Sequence, residues 1–267
     1  MRRRGRVLIV AGSDSSGGAG AEADIKTVTA LGGYAATALT AVTVQDTTGI
    51  HGIHPVPPAV TAAGMRAVLG DIGVDAIKIG MLGGRDTLDV VCDVLESDAA
   101  GLPLIVDPVM VATGGAVLLD ADAIEALCRR LLPRATLITP NVPELEILTG
   151  RRVGDVHALL VAAKELLAHG AAAVLAKGGH LAGDEIVDIL LTEDGEESVF
   201  TGTRRHTRHT HGTGCTLASA IATGIAQGMS LIAAVTRARR YLDQAIVSAP
   251  GFGRGHGPLD HGHRFRL

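Results

Sequence analysis

"VLIVAGSDSSGGAGAEAD", Val7 to Asp24, leads an apolar β-like run through four glycines and three serines into a helix-like stretch. Within it, Gly18-Ala19-Gly20-Ala21-Glu22-Ala23 satisfies the G-x-G-x-x-A pattern of dinucleotide sites. In that pattern the first glycine follows the strand almost at once, so that a tight turn sets a pyrophosphate on the helix N-terminus. Here Ser13-Asp14-Ser15-Ser16-Gly17 intervenes and carries an acid toward the place of the phosphate. The insertion argues against a bare pyrophosphate cradle. It leaves open which ligand wants so much bare backbone.

Beyond this unit, strand and helix alternate. Short β-branched runs stand at Val7–Ala11, Ala36–Val44, Ala76–Ile79, Leu104–Val106, Leu137–Thr139 and Val174–Ala176, with helical spacing at Ala59–Gly70, Thr87–Glu96, Ala121–Leu132 and Val156–His169. Most of the strands are apolar without period-two polarity, as strands covered on both faces are. The pattern predicts an α/β fold with a central, mostly parallel sheet flanked by helices. Glu185–Leu191 and Ser198–Thr207, separated around Asp194-Gly195, predict an antiparallel hairpin at the sheet edge. Two helices, Thr216–Gln227 and Ile232–Ser248, close the chain. No repeat or linker interrupts it, so residues 1–267 are expected to form one domain, with the His- and Gly-rich tail 251–267 as a loose end.

Composition narrows the function. The 267 residues are 47% hydrophobic, enough for a large core, and the 35 glycines exceed the usual share of roughly 7%. Aromatics are 2% with no Trp, and the net charge is −4, which leaves neither stacking platforms nor a basic footprint for nucleic acid. Cys92, Cys128 and Cys215 lack the short spacings of zinc sites and suit a reducing compartment. Arg2-Arg3-Arg4 precedes an apolar run too short for a signal core or a membrane span, so a solvated basic terminus on a soluble cytoplasmic protein is expected.

The polar residues stand at strand ends: Gly12 and Asp14, Gln45, Gly80-Met81, Asp107-Pro108, Asn141 with Glu144, and Lys177-Gly178-Gly179. In open α/β sheets that edge binds ligands. A second glycine cluster, His211-Gly212-Thr213-Gly214-Cys215-Thr216, opens an apolar helix, where free N–H groups and the helix dipole favour an anion. An ordinary cap by Thr213 or Thr216 would explain one hydroxyl but not the two glycines. Asp107, Glu144 and Asn141 form an oxygen-rich set suited to Mg²⁺, which keeps its waters and bridges phosphates. Glu144 fits equally well as a first-turn acid of the helix Pro143–Leu148. Lys177 would act as a point charge on a nucleotide phosphate. Together these groups describe phosphoryl transfer.

"AGSDSSGGAGAEADIKT", "ALTAVTVQDTTGI", "IKIGML", "VDPVM", "TPNVPE", "KGGH" and "HTHGTGCTLASAIA", in that order across almost the whole chain, resemble the hydroxymethylpyrimidine/phosphomethylpyrimidine kinases of thiamin biosynthesis. The resemblance implies the ribokinase-like fold, ATP and Mg²⁺ as cofactors, and two successive phosphorylations of 4-amino-5-hydroxymethyl-2-methylpyrimidine. It implies that Gly12, Asp14, the loop to Gly20, Met81 and Val109 surround the pyrimidine, and that Gln45 meets its ring nitrogen and amino group. An amide presents donor and acceptor side by side, as that edge requires. The nucleotide falls to Asn141, Lys177, Gly212, Thr213 and Gly214, and the metal to Asp107 and Glu144. Cys215, at the helix N-terminus where thiol pKa values fall, becomes a candidate general base. The family usually has proline at Ser15, which implies a less rigid loop here, and asparagine at His209. His206, His209 and His211 read as a polar loop over the nucleotide, not as a metal cluster. Relatives are commonly homodimers. A pyridoxal kinase of the same fold, an NAD-dependent oxidoreductase built on Gly18–Ala23 with Asp46 as ribose acid, and a non-catalytic pyrimidine-binding regulator stand as alternatives. A sugar kinase fits less well, since such enzymes generally place aspartate where Cys215 stands.

Overall fold

The computed structural model describes residues 4–111 and 118–265. Of the basic terminus, Arg2 and Arg3 lie outside the described residues, as do positions 266 and 267 of the tail. The strands are β1 (Arg6–Asp14), β2 (Tyr34–Asp46), β3 (Gly49–Pro55), β4 (Ala76–Ile79), β5 (Leu104–Val106), β6 (Leu137–Ile138), β7 (Ala173–Lys177), β8 (Glu185–Thr192) and β9 (Glu197–Thr203). They form a single sheet in the order β3-β2-β1-β4-β5-β6-β7-β8-β9. Pairing is parallel from β2 to β7 and antiparallel at both edges, β2–β3 and β7–β8–β9.

The period of two decides which helix covers which face. Leu8 and Val10 of β1, with Ile77 and Ile79 of β4, join the core beneath α2 (Pro58–Gly70), α3 (Arg85–Ser97), α4 (Ala121–Ala126), α5 (Val142–Thr149) and α6 (Val156–Ala168). Their neighbours Val7, Ile9 and Ala76 join the opposite core beneath α1 (Gly20–Ala30), α7 (Thr213–Ala226) and α8 (Leu231–Val247). Along the central strands β1, β4, β5 and β6 both faces are covered, so both registers are apolar and these strands show little polar alternation.

Three expectations are corrected. β3 escapes a hydrophobicity reading because it is an edge strand with no buried residue, so its sequence GIHGIHP carries little apolar signal. The strand expected to reach Thr207 stops at Thr203, where the Arg204 guanidinium turns away to donate to the carbonyls of Gly179, Leu181 and Gly183. The tail is not loose through residue 265. His256 N–H donates to Thr47 O at 2.7 Å, Asp260 N–H donates to Ala245 O at 3.0 Å, and Leu259 and His261 are buried. Its glycines read as disorder but permit close approach: a methyl at Gly255 would overlap the Thr47 carbonyl oxygen.

Candidate active site

Bare backbone in the first glycine loop serves largely to pack the protein against itself. A methyl at Gly20, whose φ is +57°, would overlap the Gly12 carbonyl oxygen, and one at Gly12 would strike the Met81 side chain. Gly212 has φ +82°, and a methyl there would overlap the Gly18 carbonyl oxygen. The two glycine clusters, distant in sequence, are thus interlocked backbone to backbone. Gly212→Ala should force them apart and add left-handed strain. A displacement of about 1 Å in a catalytic site costs roughly 10²-fold, so kcat/KM for any reaction run at this site should fall by about that factor in steady-state kinetics. A near-normal value would mean that the interlock does not set the site.

Asp14, expected to face the substrate, is engaged by this framework. Its Oδ1 accepts from Ser16 N–H at 2.8 Å, while Oδ2 accepts from Ser16 Oγ at 2.9 Å and Ala19 N–H at 2.8 Å. His211 Nε2 lies 2.8 Å from the same Oδ2. Burial would raise the Asp14 carboxyl, but the His211 and Ser16 hydrogen bonds hold it below the usual carboxylate range. Ser15, in place of the family's proline, holds the loop by hydrogen bonds. Ser15 Oγ donates to Gln45 O and accepts from Gln45 N–H, each at 2.8 Å, so the serine stitches the loop to β2. Glu22 reaches back from α1 to the Asp14 N–H at 2.7 Å. The Ala19 N–H, one donor a pyrophosphate along Gly18–Ala23 would draw on, is already engaged by Asp14.

The second cluster sits over a buried charge pair. Gly212 caps α7 in the left-handed conformation without any side-chain cap, against the alternative of a threonine cap. Thr213 N–H turns to Thr210 O at 3.3 Å, and Thr216 N–H to Gly212 O at 2.9 Å. Gly214 and Cys215 N–H, in the first turn, have no helix carbonyl to meet. A Cβ on Gly214 would stand 3.2 Å from Asp107 Oδ2 and 3.5 Å from Lys177 Nζ. Lys177 Nζ donates to Asp107 Oδ1 at 3.2 Å, and Thr139 Oγ1 donates to the same oxygen at 3.2 Å. Burial alone would lower Lys177, but Asp107 and Glu144 raise it and keep it charged.

Glu144 is a first-turn acid of α5, and it also lies near Lys177 and Asp107. It forms a reciprocal capping box with Asn141, with Asn141 N–H donating to Glu144 Oε2 at 2.8 Å and Glu144 N–H to Asn141 Oδ1 at 3.0 Å. Burial pushes its carboxyl up to about 7, with Lys177 opposing and Asp107 adding to the rise. Two buried carboxylates beside one lysine form a hard-oxygen set with negative charge in excess. That set fits a Mg²⁺ ion retaining most of its waters. Among the described residues no three His, Cys, Asp or Glu side chains gather as a metal cluster. The histidines disperse: His206 pairs with exposed Asp184 at 3.0 Å, His209 meets the tail at Gly257, and His211 turns inward.

Cys215 is corrected in its acidity. It is half-buried at the start of α7, enclosed enough that desolvation pushes the thiol up to about 12. Lys78 and the Gly20 N–H pull it down without prevailing. Sequence reasoning missed Lys78, although it quoted "IKIGML". This fully buried lysine of β4 donates to Asp24 Oδ2 at 2.7 Å, and Ser219 Oγ donates to Asp24 Oδ1 at 2.6 Å. The bonds tie β4, α1 and α7 together below Cys215. A lysine inside an apolar run was the available signal, since such a residue is buried only with a partner. Asp188 was missed as well. It accepts from Gly178 N–H at 3.0 Å and from Arg239 Nε at 2.9 Å, fixing the turn after Lys177. Of the remaining residues, Gln45 is half-buried beside His211, and Val109 is half-buried with its N–H on Asp107 O at 2.8 Å.

The profile of the family described as phosphomethylpyrimidine kinase matches residues 14–260. The bifunctional thiamine biosynthesis protein ThiED of Geobacter sulfurreducens is 51% identical over 97% of this chain, which spans 52% of that protein. The hydroxymethylpyrimidine/phosphomethylpyrimidine kinase of Rhizobium meliloti is 46% identical over 97% of both chains. Among solved structures, an ADP complex of Bacillus subtilis pyridoxal kinase superposes with a TM-score of 0.90 at 31% identity, covering 98% of this chain and 99% of that one.

Proposed function

The chain belongs to the phosphomethylpyrimidine kinase family, and from that premise we propose that it transfers phosphoryl groups from ATP to 4-amino-5-hydroxymethyl-2-methylpyrimidine and then to its monophosphate. The observation that carries the reading is the convergence of the uncapped α7 N-terminus, Lys177 and Asp107 at one point, beside the interlocked loop that leads to Gln45. The transferred phosphoryl group meets the Gly214 and Cys215 N–H groups, and Lys177 neutralises charge that develops on it. Asp107 and Glu144 would hold Mg²⁺ through its waters, and the ion would supply further charge neutralisation when bound. Asn141, its oxygen engaged by Glu144, turns its amide N–H groups to the nucleotide with Gly212 and Thr213. Gln45 reads the pyrimidine edge, while Gly12, Gly20, Met81 and Val109 shape the pocket. Cys215 takes the proton of the attacking hydroxyl, reacting through the thiolate fraction of a thiol that is neutral at rest.

Val42 and Val44, 44% and 62% exposed on β2, leave an apolar strip that we assign to a homodimer contact. The likeness to pyridoxal kinase favours a second reading with pyridoxal as acceptor. No helix of the described residues is long and apolar enough to cross a membrane. An ADP-release assay with hydroxymethylpyrimidine, pyridoxal and ribose in parallel separates the readings. Turnover with the pyrimidine is expected. Turnover with pyridoxal alone would replace the first reading by the second.

A further inference from the structure

Resting on the reading of Gln45 as the group that meets the pyrimidine, a count of protons around its amide goes one step further. Gln45 Nε2 lies 3.3 Å from His211 Nε2, and Gln45 Oε1 lies 3.1 Å from Thr43 Oγ1. Neither contact agrees with the protons available. His211 Nε2 is 2.8 Å from Asp14 Oδ2, an oxygen of an ionised carboxylate that already accepts from Ser16 and Ala19. The proton between them therefore sits on the nitrogen. A protonated Nε2 cannot accept from an amide N–H. Thr43 has one hydroxyl proton, committed at 2.9 Å to the Ser13 carbonyl, a group that can only accept. None remains for Gln45 Oε1.

A half-turn of the amide about its terminal bond keeps its shape, since oxygen and nitrogen are nearly equal in size, and it cures both conflicts. Oε1 then accepts from His211 Nε2–H, shared with Asp14, and Nε2 donates to Thr43 Oγ1. We infer that Gln45 works in this turned orientation, locked by His211 on one side and Thr43 on the other, and that the lock lets the site tell a 4-aminopyrimidine from its 4-oxo counterpart. The amide keeps one N–H and one lone pair outside the lock for the ligand. An unlocked amide would flip freely and offer a donor where an acceptor had been, fitting the oxo edge as well as the amino edge. The locked amide must break two hydrogen bonds to do so. His211 and Thr43 are thus positioning residues that act through Gln45.

Two measurements test the lock. The first is the ratio of kcat/KM for the 4-amino and 4-oxo forms of 5-hydroxymethyl-2-methylpyrimidine. Wild type should favour the amino form, and Thr43→Val and His211→Phe should each lower the ratio by about tenfold or more. His211→Gln, whose amide can donate to Asp14 and Gln45 together, should retain it. An unchanged ratio in the near-isosteric Thr43→Val overturns the lock, even should His211→Phe fail to fold. The second is ligand-free NMR: the Gln45 NH2 protons should show their stronger Overhauser effect to the Thr43 methyl, and a stronger effect to the His211 ring overturns the orientation. Phosphorylation of neither pyrimidine would overturn the functional reading alone, because the spectrum reports the orientation without turnover.

Discussion

Cys215→Ala should lower kcat by about 10²–10⁴-fold, the range a positioned proton acceptor contributes. It should also remove a pH dependence whose direction the structure fixes. Burial pushes the thiol up to about 12. Below that value the reactive thiolate fraction rises by about tenfold per pH unit, so wild-type kcat should climb across the neutral range until another step limits it. The alanine variant should be flat. Cys215→Asp places a carboxylate of low intrinsic pKa at the same point and should restore part of the activity with a weaker pH dependence. If Cys215→Ala keeps near-normal kcat with the same profile, the cysteine only shapes the pocket. Proton removal then falls to a phosphate oxygen or to Asp14.

Lys177→Met should be nearly as damaging, with kcat down by about 10²–10³-fold, the effect of removing one preorganised group aimed at developing charge. The substitution also strips the charged partner from Asp107, whose side chain is 3% exposed. Breaking a buried pair costs about 3–5 kcal/mol, so the melting temperature should fall as well. The two effects separate with Mg²⁺. Stability lost to unpaired carboxylates should be partly recovered as Mg²⁺ is added, whereas the catalytic loss should persist. Near-normal kcat in a folded Lys177→Met protein would show that the lysine serves only Asp107.

Much of the architecture was legible because each parallel strand is apolar and ends in a polar residue. Asp107 and Lys177, placed by that pattern, and Gly214, placed by the glycine cluster that opens α7, meet within a few ångströms. What stayed hidden was whichever residue acts inward. Asp14 and Ser15 looked like ligand-facing loop residues, yet their hydrogen bonds go to Ser16, Ala19, His211 and Gln45, partners up to almost two hundred positions away. Lys78 signals burial by standing in an apolar run, but its carboxylate partner lies on α1 and no local pattern pairs them. The acidity of Cys215 was misjudged for a related reason. Helix position is written in the sequence, but the enclosure that overrides it comes from packing.

The most direct test of the central claim, two phosphorylations at one site, is a ³¹P NMR time course of the protein with MgATP and 4-amino-5-hydroxymethyl-2-methylpyrimidine. The monophosphate should appear first and then give way to the diphosphate, with about two ADP formed per pyrimidine consumed. Accumulation of the monophosphate without any diphosphate would contradict the second transfer. No new phosphate resonance, with ATP intact, would contradict the claim as a whole.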